Sequence, residues 1–210
     1  MDLLPSQSVR VILADPLPVL KTPQLVLRPM VNSDVEDLFA IRSRPEIAAM
    51  NHPKTPHQSI QDTREWMASK IFTEGPEDIL GGSFAYAIIE RGCSGTASEA
   101  SPSDGRVIGA VYLNELVPCP EIGYCIQPEY WGKGYATEAL GKFLEAWWAL
   151  PRREQQSSGN GEEVEKIFAI CEKPNIGSVK VLKKCGFKVF REARYEQDEL
   201  LLCGLEKPRV

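Results

Sequence analysis

Hydrophobic residues recur along this chain at two spacings, and the spacing switches several times. Gln24-Leu25-Val26-Leu27-Arg28 alternates with period two and is closed by Pro29, which predicts a strand. Asn32-Ser33-Asp34 then offers capping side chains for a helix over 35–44, where Val35, Leu38, Phe39 and Ile41 fall near one face. Pro45 is expected to end that helix. A polar loop over 51–57 holds both histidines, His52 and His57, which are expected to be solvated. A second helix is predicted over 59–72, with Ile60, Trp66, Met67 and Ile71 at its apolar positions.

Apolar runs at 83–90, 106–113 and 121–127 predict three consecutive strands. The strongest helix signal is 134–150: Ala136, Ala139, Leu140, Phe143, Leu144, Trp147 and Trp148 make a broad apolar face, and Pro151 stops it. A strand over 166–171, a short helix over 175–185 closed by Gly186, and strands over 187–195 and 199–204 complete the pattern. Residues 92–105 and 152–163 have no core-forming pattern and read as inserted loops. The order is therefore β, α, α, β, β, β, α, β, α, β, β. Consecutive strands imply antiparallel pairing, and the later β–α–β unit implies one parallel pair. The expected fold is α/β of the α+β kind: one mixed, mostly antiparallel central sheet flanked by helices. It occupies 24–205, after an N-terminal arm over 1–23 and before a tail over 206–210.

Charge narrows the partners. The 24 Lys and Arg against 29 Asp and Glu leave a net charge of −5 over 210 residues, which argues against a general nucleic-acid binder. No apolar run is long enough for a membrane span, and Pro5, Pro16 and Pro18 break up the start, so no secretory signal is read and a cytoplasmic address is expected. The six cysteines form no C-x-x-C pair and lie apart from the histidines, so packed reduced thiols are expected and no metal. Trp66, Tyr124, Trp147 and Trp148 are read first as packing residues, with an acceptor pocket as the alternative for the first two.

The chemistry concentrates in Glu121–Ala139, EIGYCIQPEYWGKGYATEA. A strand runs into a glycine-containing loop, and the loop into the strongest helix. Gly132 and Gly134 let backbone N–H groups converge, and the first helical turn adds unpaired donors and a positive dipole end. Lys133 and the Thr137 hydroxyl complete a site suited to a pyrophosphate. A Walker loop is excluded because Gly134 and Tyr135 follow Lys133, and a Rossmann fingerprint because Thr137 replaces its third glycine. A bare strand–turn–helix, whose glycines only make the turn, stays open.

The same residues resemble the GNAT superfamily of acetyl-CoA-dependent N-acetyltransferases, in the branch that includes the ribosomal-protein alanine N-acetyltransferases. The superfamily's Gln/Arg-x-x-Gly-x-Gly/Ala loop falls on Trp131-Gly132-Lys133-Gly134-Tyr135-Ala136, with Trp131 at the first position, a departure shared within the branch. Asn175-Ile176-Gly177-Ser178 followed by Lys184-Cys185-Gly186-Phe187, and Leu25-Val26-Leu27-Arg28-Pro29 followed by Asp34 and Leu38, match as well.

The resemblance implies acetyl transfer to a primary amine of a small molecule or a protein N-terminus. It implies that the main chain near Ile126 and Gln127 holds the pantetheine arm and faces the thioester oxygen. The N–H groups of Gly132 through Thr137 would hold the pyrophosphate, and Asn175 the pantetheine amide, besides capping its helix. Glu121 is the implied base. Leu182 stands where many members carry a tyrosine acid, which leaves Ser178 to face the sulfur as a catalytic and cofactor-contacting residue. The alternative function is a non-catalytic acyl-CoA-binding module, and monomer and homodimer are both open.

Overall fold

The computed structural model describes residues 3–91, 105–154 and 164–209. Its strands are β1 (Leu20–Lys21), β2 (Leu25–Pro29), β3 (Ala85–Glu90), β4 (Val107–Glu115), β5 (Glu121–Ile126), β6 (Lys166–Glu172), β7 (Lys188–Tyr195) and β8 (Asp198–Glu206). Its helices are α1 (Val35–Arg42), α2 (Pro45–Ala48), α3 (Ile60–Ala68), α4 (Tyr135–Ala149) and α5 (Ile176–Lys184). The strands form one mixed sheet in the order β1-β2-β3-β4-β5-β6-β8-β7. Every neighbouring pair is antiparallel except β5 and β6.

Several boundaries move. Pro45 does end α1, but it also opens α2 from the first helical position, where its missing N–H costs nothing. The arm contributes β1, whose Leu20 pairs with Leu27. The second helix stops at Ala68, short of 72, although Ser59 caps its start by accepting the Asp62 N–H at 3.2 Å. Of the two expected insertions, 92–104 and 155–163 lie outside the described residues.

Both faces of the sheet are covered, which explains why β3 reads as an unbroken apolar run. Tyr86 and Ile88 face Leu140, Phe143 and Trp147 of α4. Ala85, Ala87 and Ile89 face the opposite layer, with Leu38 and Ile41 of α1 and Met67 of α3. Trp147 is a core residue, and Trp148 packs against that core from its edge. Cys119, Cys125, Cys171 and Cys203 are buried free thiols and Cys185 is a partly buried one, while Cys93 lies outside the described residues. No described helix is long and apolar enough to cross a membrane.

The feature that positions the site is the parallel seam. β5 and β6 are paired only at Glu121 and Phe168, where the Phe168 N–H donates to the Pro120 carbonyl at 2.8 Å. Beyond that point the strands diverge. The N-terminal arm stitches this joined end. Gln7 donates its backbone N–H to Pro118 O at 2.8 Å. Its carboxamide exchanges two bonds with the main chain of Lys166, at 2.8 and 2.9 Å. Val11 bridges Arg152 a little further along.

Candidate active site

Where β5 leaves β6, half of its main-chain groups lose a strand partner. The Gln127 N–H donates to Ile108 O on β4 at 2.8 Å. In an antiparallel ladder this direction alternates residue by residue. Gly123, Cys125 and Gln127 therefore point their backbone groups at β4, whereas Ile122, Tyr124 and Ile126 point theirs the other way: Ile122 at β6, where its N–H belongs to the Glu121–Phe168 bridge, and Tyr124 and Ile126 into the split. This corrects the expectation at Gln127: its N–H is committed to the sheet and does not face a ligand. The Ile126 carbonyl is also engaged, accepting the Trp131 indole N–H at 2.6 Å.

That indole bond pins the loop after β5 and aims it at α4. Gly132 and Gly134 have φ of +79° and +87°, a left-handed backbone that glycine adopts without steric cost. A Cβ built on either would meet nothing within 4 Å, so both border open space. Gly134 is the N-cap of α4, where a helix presents the N–H ends of its first turn and the positive end of its dipole. The Lys133 ammonium lies over Tyr130 and Tyr135, at 4.6 and 5.8 Å from the ring centroids. Converging donors, a dipole end and a cation beside open space fit a pyrophosphate.

A cavity of about 830 Å³ occupies the split at the other end of β5, roughly 17 Å away along the strand. Ile122 and Tyr124 of β5 line it on one side, Ile170 and Cys171 of β6 on another, and Asn175, Ser178 and Leu182 of α5 beneath. Trp66 and the segment 69–74 after α3 close it from the far layer. A strap from the 51–57 loop crosses its rim: the Lys54 ammonium lies 2.9 Å from Glu172 and 2.6 Å from Asp198, and His52 meets the edge of Tyr195 at 5.5 Å.

Glu121 stands on this cavity. Burial pushes its carboxyl up to about 7, with Glu115 adding to the rise, while Asn114 and Lys70 act against it. The Asn114 amide donates to its carboxylate at 3.2 Å. Lys70, only 7% exposed, donates to the other end of the same amide at 2.8 Å. Burial brings Lys70 down to about 8, with Arg42 lowering it further and Glu121 and Glu115 opposing. Trp66 carries the Arg42 guanidinium 4.1 Å from its ring centroid and meets the Tyr112 ring edge to face.

The sequence-expected residues divide between the two ends. Glu121, Asn175 and Ser178 line the cavity. Trp131 through Thr137, with Ile126 and Gln127, gather at the opposite end of β5. Asn175 caps α5, its Oδ1 accepting the Ser178 N–H at 3.0 Å. His57 departs from the solvated role expected of it. It is half-buried, with Nε2 accepting from Arg42 Nε at 3.0 Å and Nδ1 2.8 Å from the Thr63 hydroxyl. Burial and the Arg42 charge lower its pKa, which favours the neutral ring those contacts use. Trp66 and Tyr124, read first as packing residues, both line the cavity, and the Tyr124 hydroxyl donates to Ser178 O at 3.4 Å. Lys70, Asn114 and Arg42 carried no sequence signal. The 121–127 strand pairing with its neighbour does put Asn114 beside Glu121 once the hairpin register is known.

Among known proteins, the family profile described as acetyltransferase (GNAT) domain matches residues 24–188. The chain is 40% identical over 67 residues to YjdG, an uncharacterized N-acetyltransferase of Bacillus subtilis (strain 168). That match takes in 32% of this chain, and the chain spans about a third (33%) of that relative's length. RimL, a ribosomal-protein alpha-N acetyltransferase solved in complex with coenzyme A, superposes with a TM-score of 0.65 at 14% identity, over 90% of this chain and 98% of that one. Spermidine N-acetyltransferase from Vibrio cholerae, solved with CoA and spermine, gives 0.60 at 16% identity, over 89% and 97%. At these identities the two structures show a shared fold.

Proposed function

The chain belongs to the GNAT acetyltransferase family, and from that premise we propose that it acetylates a primary amine held in the cavity beside Glu121. The observation that carries this reading is a continuous path. The open main-chain edge of β5 leads from a pyrophosphate-shaped helix terminus to a buried carboxyl that titrates near neutrality.

Acetyl-CoA would supply an acetyl group activated as a thioester. The N–H groups of Gly132 through Thr137 and the charge of Lys133 would receive its pyrophosphate. The Tyr124 main chain and the Ile126 N–H would pair with the pantetheine arm along the split, with one of these N–H groups polarising the carbonyl. Asn175, whose Oδ1 is spent on its own helix, would bond the arm through its NH2.

Glu121 accepts a proton from the amine nitrogen as that nitrogen bonds to the carbonyl carbon. A carboxyl near 7 is suited to this, since it is ionised in useful amount at neutral pH and basic enough to take the proton. When the carbon–sulfur bond breaks, the hydroxyl of Ser178 or of Tyr124 donates a hydrogen bond to the departing thiolate, which takes its proton from water, and Glu121 returns its own proton to solvent. Leu182 is buried at 2% exposure and supplies no hydrogen bond, the one feature that favours a non-catalytic acyl-CoA binder instead.

The test is calorimetric titration with acetyl-CoA, with Gly134→Asp alongside, followed by release of free CoA in the presence of spermidine or an alanine-starting peptide. Micromolar binding that the folded variant loses, together with amine-dependent CoA release, supports the enzyme. Binding without release under either amine supports the binder. No binding by the folded wild-type chain overturns both.

A further inference from the structure

We propose that Lys70 is a positioning residue for the transfer: through the side-chain amide of Asn114 it fixes the orientation of Glu121. The inference rests on the reading of Glu121 as base. Its geometry is a chain of two hydrogen bonds, from the Lys70 ammonium to Asn114 Oδ1 at 2.8 Å and from Asn114 Nδ2 to Glu121 Oε1 at 3.2 Å.

The chemistry of the three groups gives this chain one direction. A charged lysine can only donate, so it obliges the Asn114 carbonyl oxygen to face it. The amide NH2 must then face the other way, and a carboxylate, which can only accept, is what it meets. Without the lysine, Asn114 is free to turn its oxygen toward Glu121, and two oxygens would then repel. The lysine thus decides which end of Asn114 the base sees.

The placement of Lys70 makes little sense as packing. A buried ammonium without a directly bonded carboxylate is costly, and a methionine of similar length would fill the space. Its surroundings offset part of the cost: the Nζ lies 4.9 Å from the Tyr112 ring centroid and 5.5 Å from that of Trp66. A second cation, Arg42, lies against Trp66 and adds to the positive field. The charged or titratable groups acting on Glu121 are Lys70 from beyond α3 and Glu115 of β4, with Tyr112 and Cys119 in its field. Those acting on Lys70 are Arg42, Glu121 and Glu115. Lys70 is the cation in the first set, and so it opposes the burial that would leave the base protonated and idle.

The experiment needs no knowledge of the acceptor. Side-chain carboxyl carbons of the full chain are titrated by 13C NMR, with the Glu121 signal assigned by its loss in Glu121→Gln. Lys70→Met is expected to raise the Glu121 midpoint by about one unit, and Lys70→Arg to restore it. Asn114→Leu is expected to raise it too, and adding Lys70→Met should then move it much less, because the two residues act as a unit. A midpoint unmoved by both Lys70→Met and Asn114→Leu overturns the proposal, and if one variant fails to fold the other decides. CoA release with spermidine or the alanine-starting peptide, whichever is turned over, separates this proposal from the base reading. If Glu121→Gln keeps full activity while Lys70→Met still moves the midpoint, the base assignment falls and the coupling stands. If Glu121→Gln abolishes activity and the midpoint does not respond to Lys70, the coupling alone falls.

Discussion

Arg28 and Asp34 face each other in a two-pronged ion pair, Nη1 to Oδ2 at 2.8 Å and Nη2 to Oδ1 at 2.5 Å, with Asp34 only 3% exposed. Asp34 also accepts the Val31 N–H at 2.9 Å, so one carboxylate ties the end of β2 to the start of α1. Arg28→Ala leaves that buried charge without its partner. A loss of about 3 kcal/mol is expected, read as a lower urea midpoint with an unchanged m-value. Replacing both residues with apolar side chains should recover much of it.

Stability should also report on Glu121. Its folded-state pKa of about 7 lies above the ordinary 4.5. The folded state therefore binds more protons between those values, and the stability present below 4.5 is lost as pH rises through 7. Glu121→Gln is expected to stabilise the chain at pH 8 by on the order of 1–3 kcal/mol, less whatever Lys70 loses with its carboxylate neighbour. The gain should shrink toward zero near pH 4.5. Thermal or urea unfolding across that range gives the curve, and a variant less stable at pH 8 would contradict it.

At Asn175 the cap can be separated from the cofactor contact proposed for it. Asn175→Ala removes the cap of α5 and should cost about 1 kcal/mol of stability. Asn175→Ser retains a capping oxygen and should restore stability, but it lacks the NH2. Its affinity for acetyl-CoA is expected to fall about fivefold, the effect of one neutral hydrogen bond. Equal affinities for wild type and Asn175→Ser would confine Asn175 to the cap.

Gly123 tests the packing beneath the lysine. A Cβ there would lie 2.4 Å from Cε2 of Tyr112, a ring that is 3% exposed and has little room to move. Gly123→Ala is expected to cost about 1–3 kcal/mol by overpacking. Because Tyr112 supports both Trp66 and Lys70, the cost should be accompanied by a change in tryptophan fluorescence.

The strongly periodic parts of the fold were legible in the chain itself. The apolar stripe of α4 and the unbroken runs of β3 and β4 each bury a large surface, so burial alone dictates them. β1 was hidden because two residues among prolines carry no period, and its pairing with Leu27 is a tertiary effect. The glycines ahead of α4 were readable because an unusual backbone demands an unusual residue. That the Gln127 N–H is spent on β4 was unreadable for the opposite reason: which side a main-chain N–H faces depends on ladder phase, and phase leaves no mark on residue type. Lys70 and Asn114 stand 44 positions apart, and nothing local in either segment announces that a cation and an amide will share a cavity with Glu121. His57 read as solvent-facing because its neighbours are polar, yet those neighbours leave its ring against Arg42 and Thr63.

The stitches made by Gln7 fall where β5 and β6 are already joined, beside Pro118 and Lys166. They act as a rivet at the vertex of a wedge. With the vertex fixed, any relative movement of the two half-sheets would be a change of opening angle, growing with distance from Glu121 and Phe168. A small rotation there barely disturbs the carboxyl at the vertex while moving the far end of β5 through a larger arc. An arm placed there would work as a fulcrum, stiffening the groove beside Glu121 and leaving the end beside Gly132 and Gly134 the freer of the two.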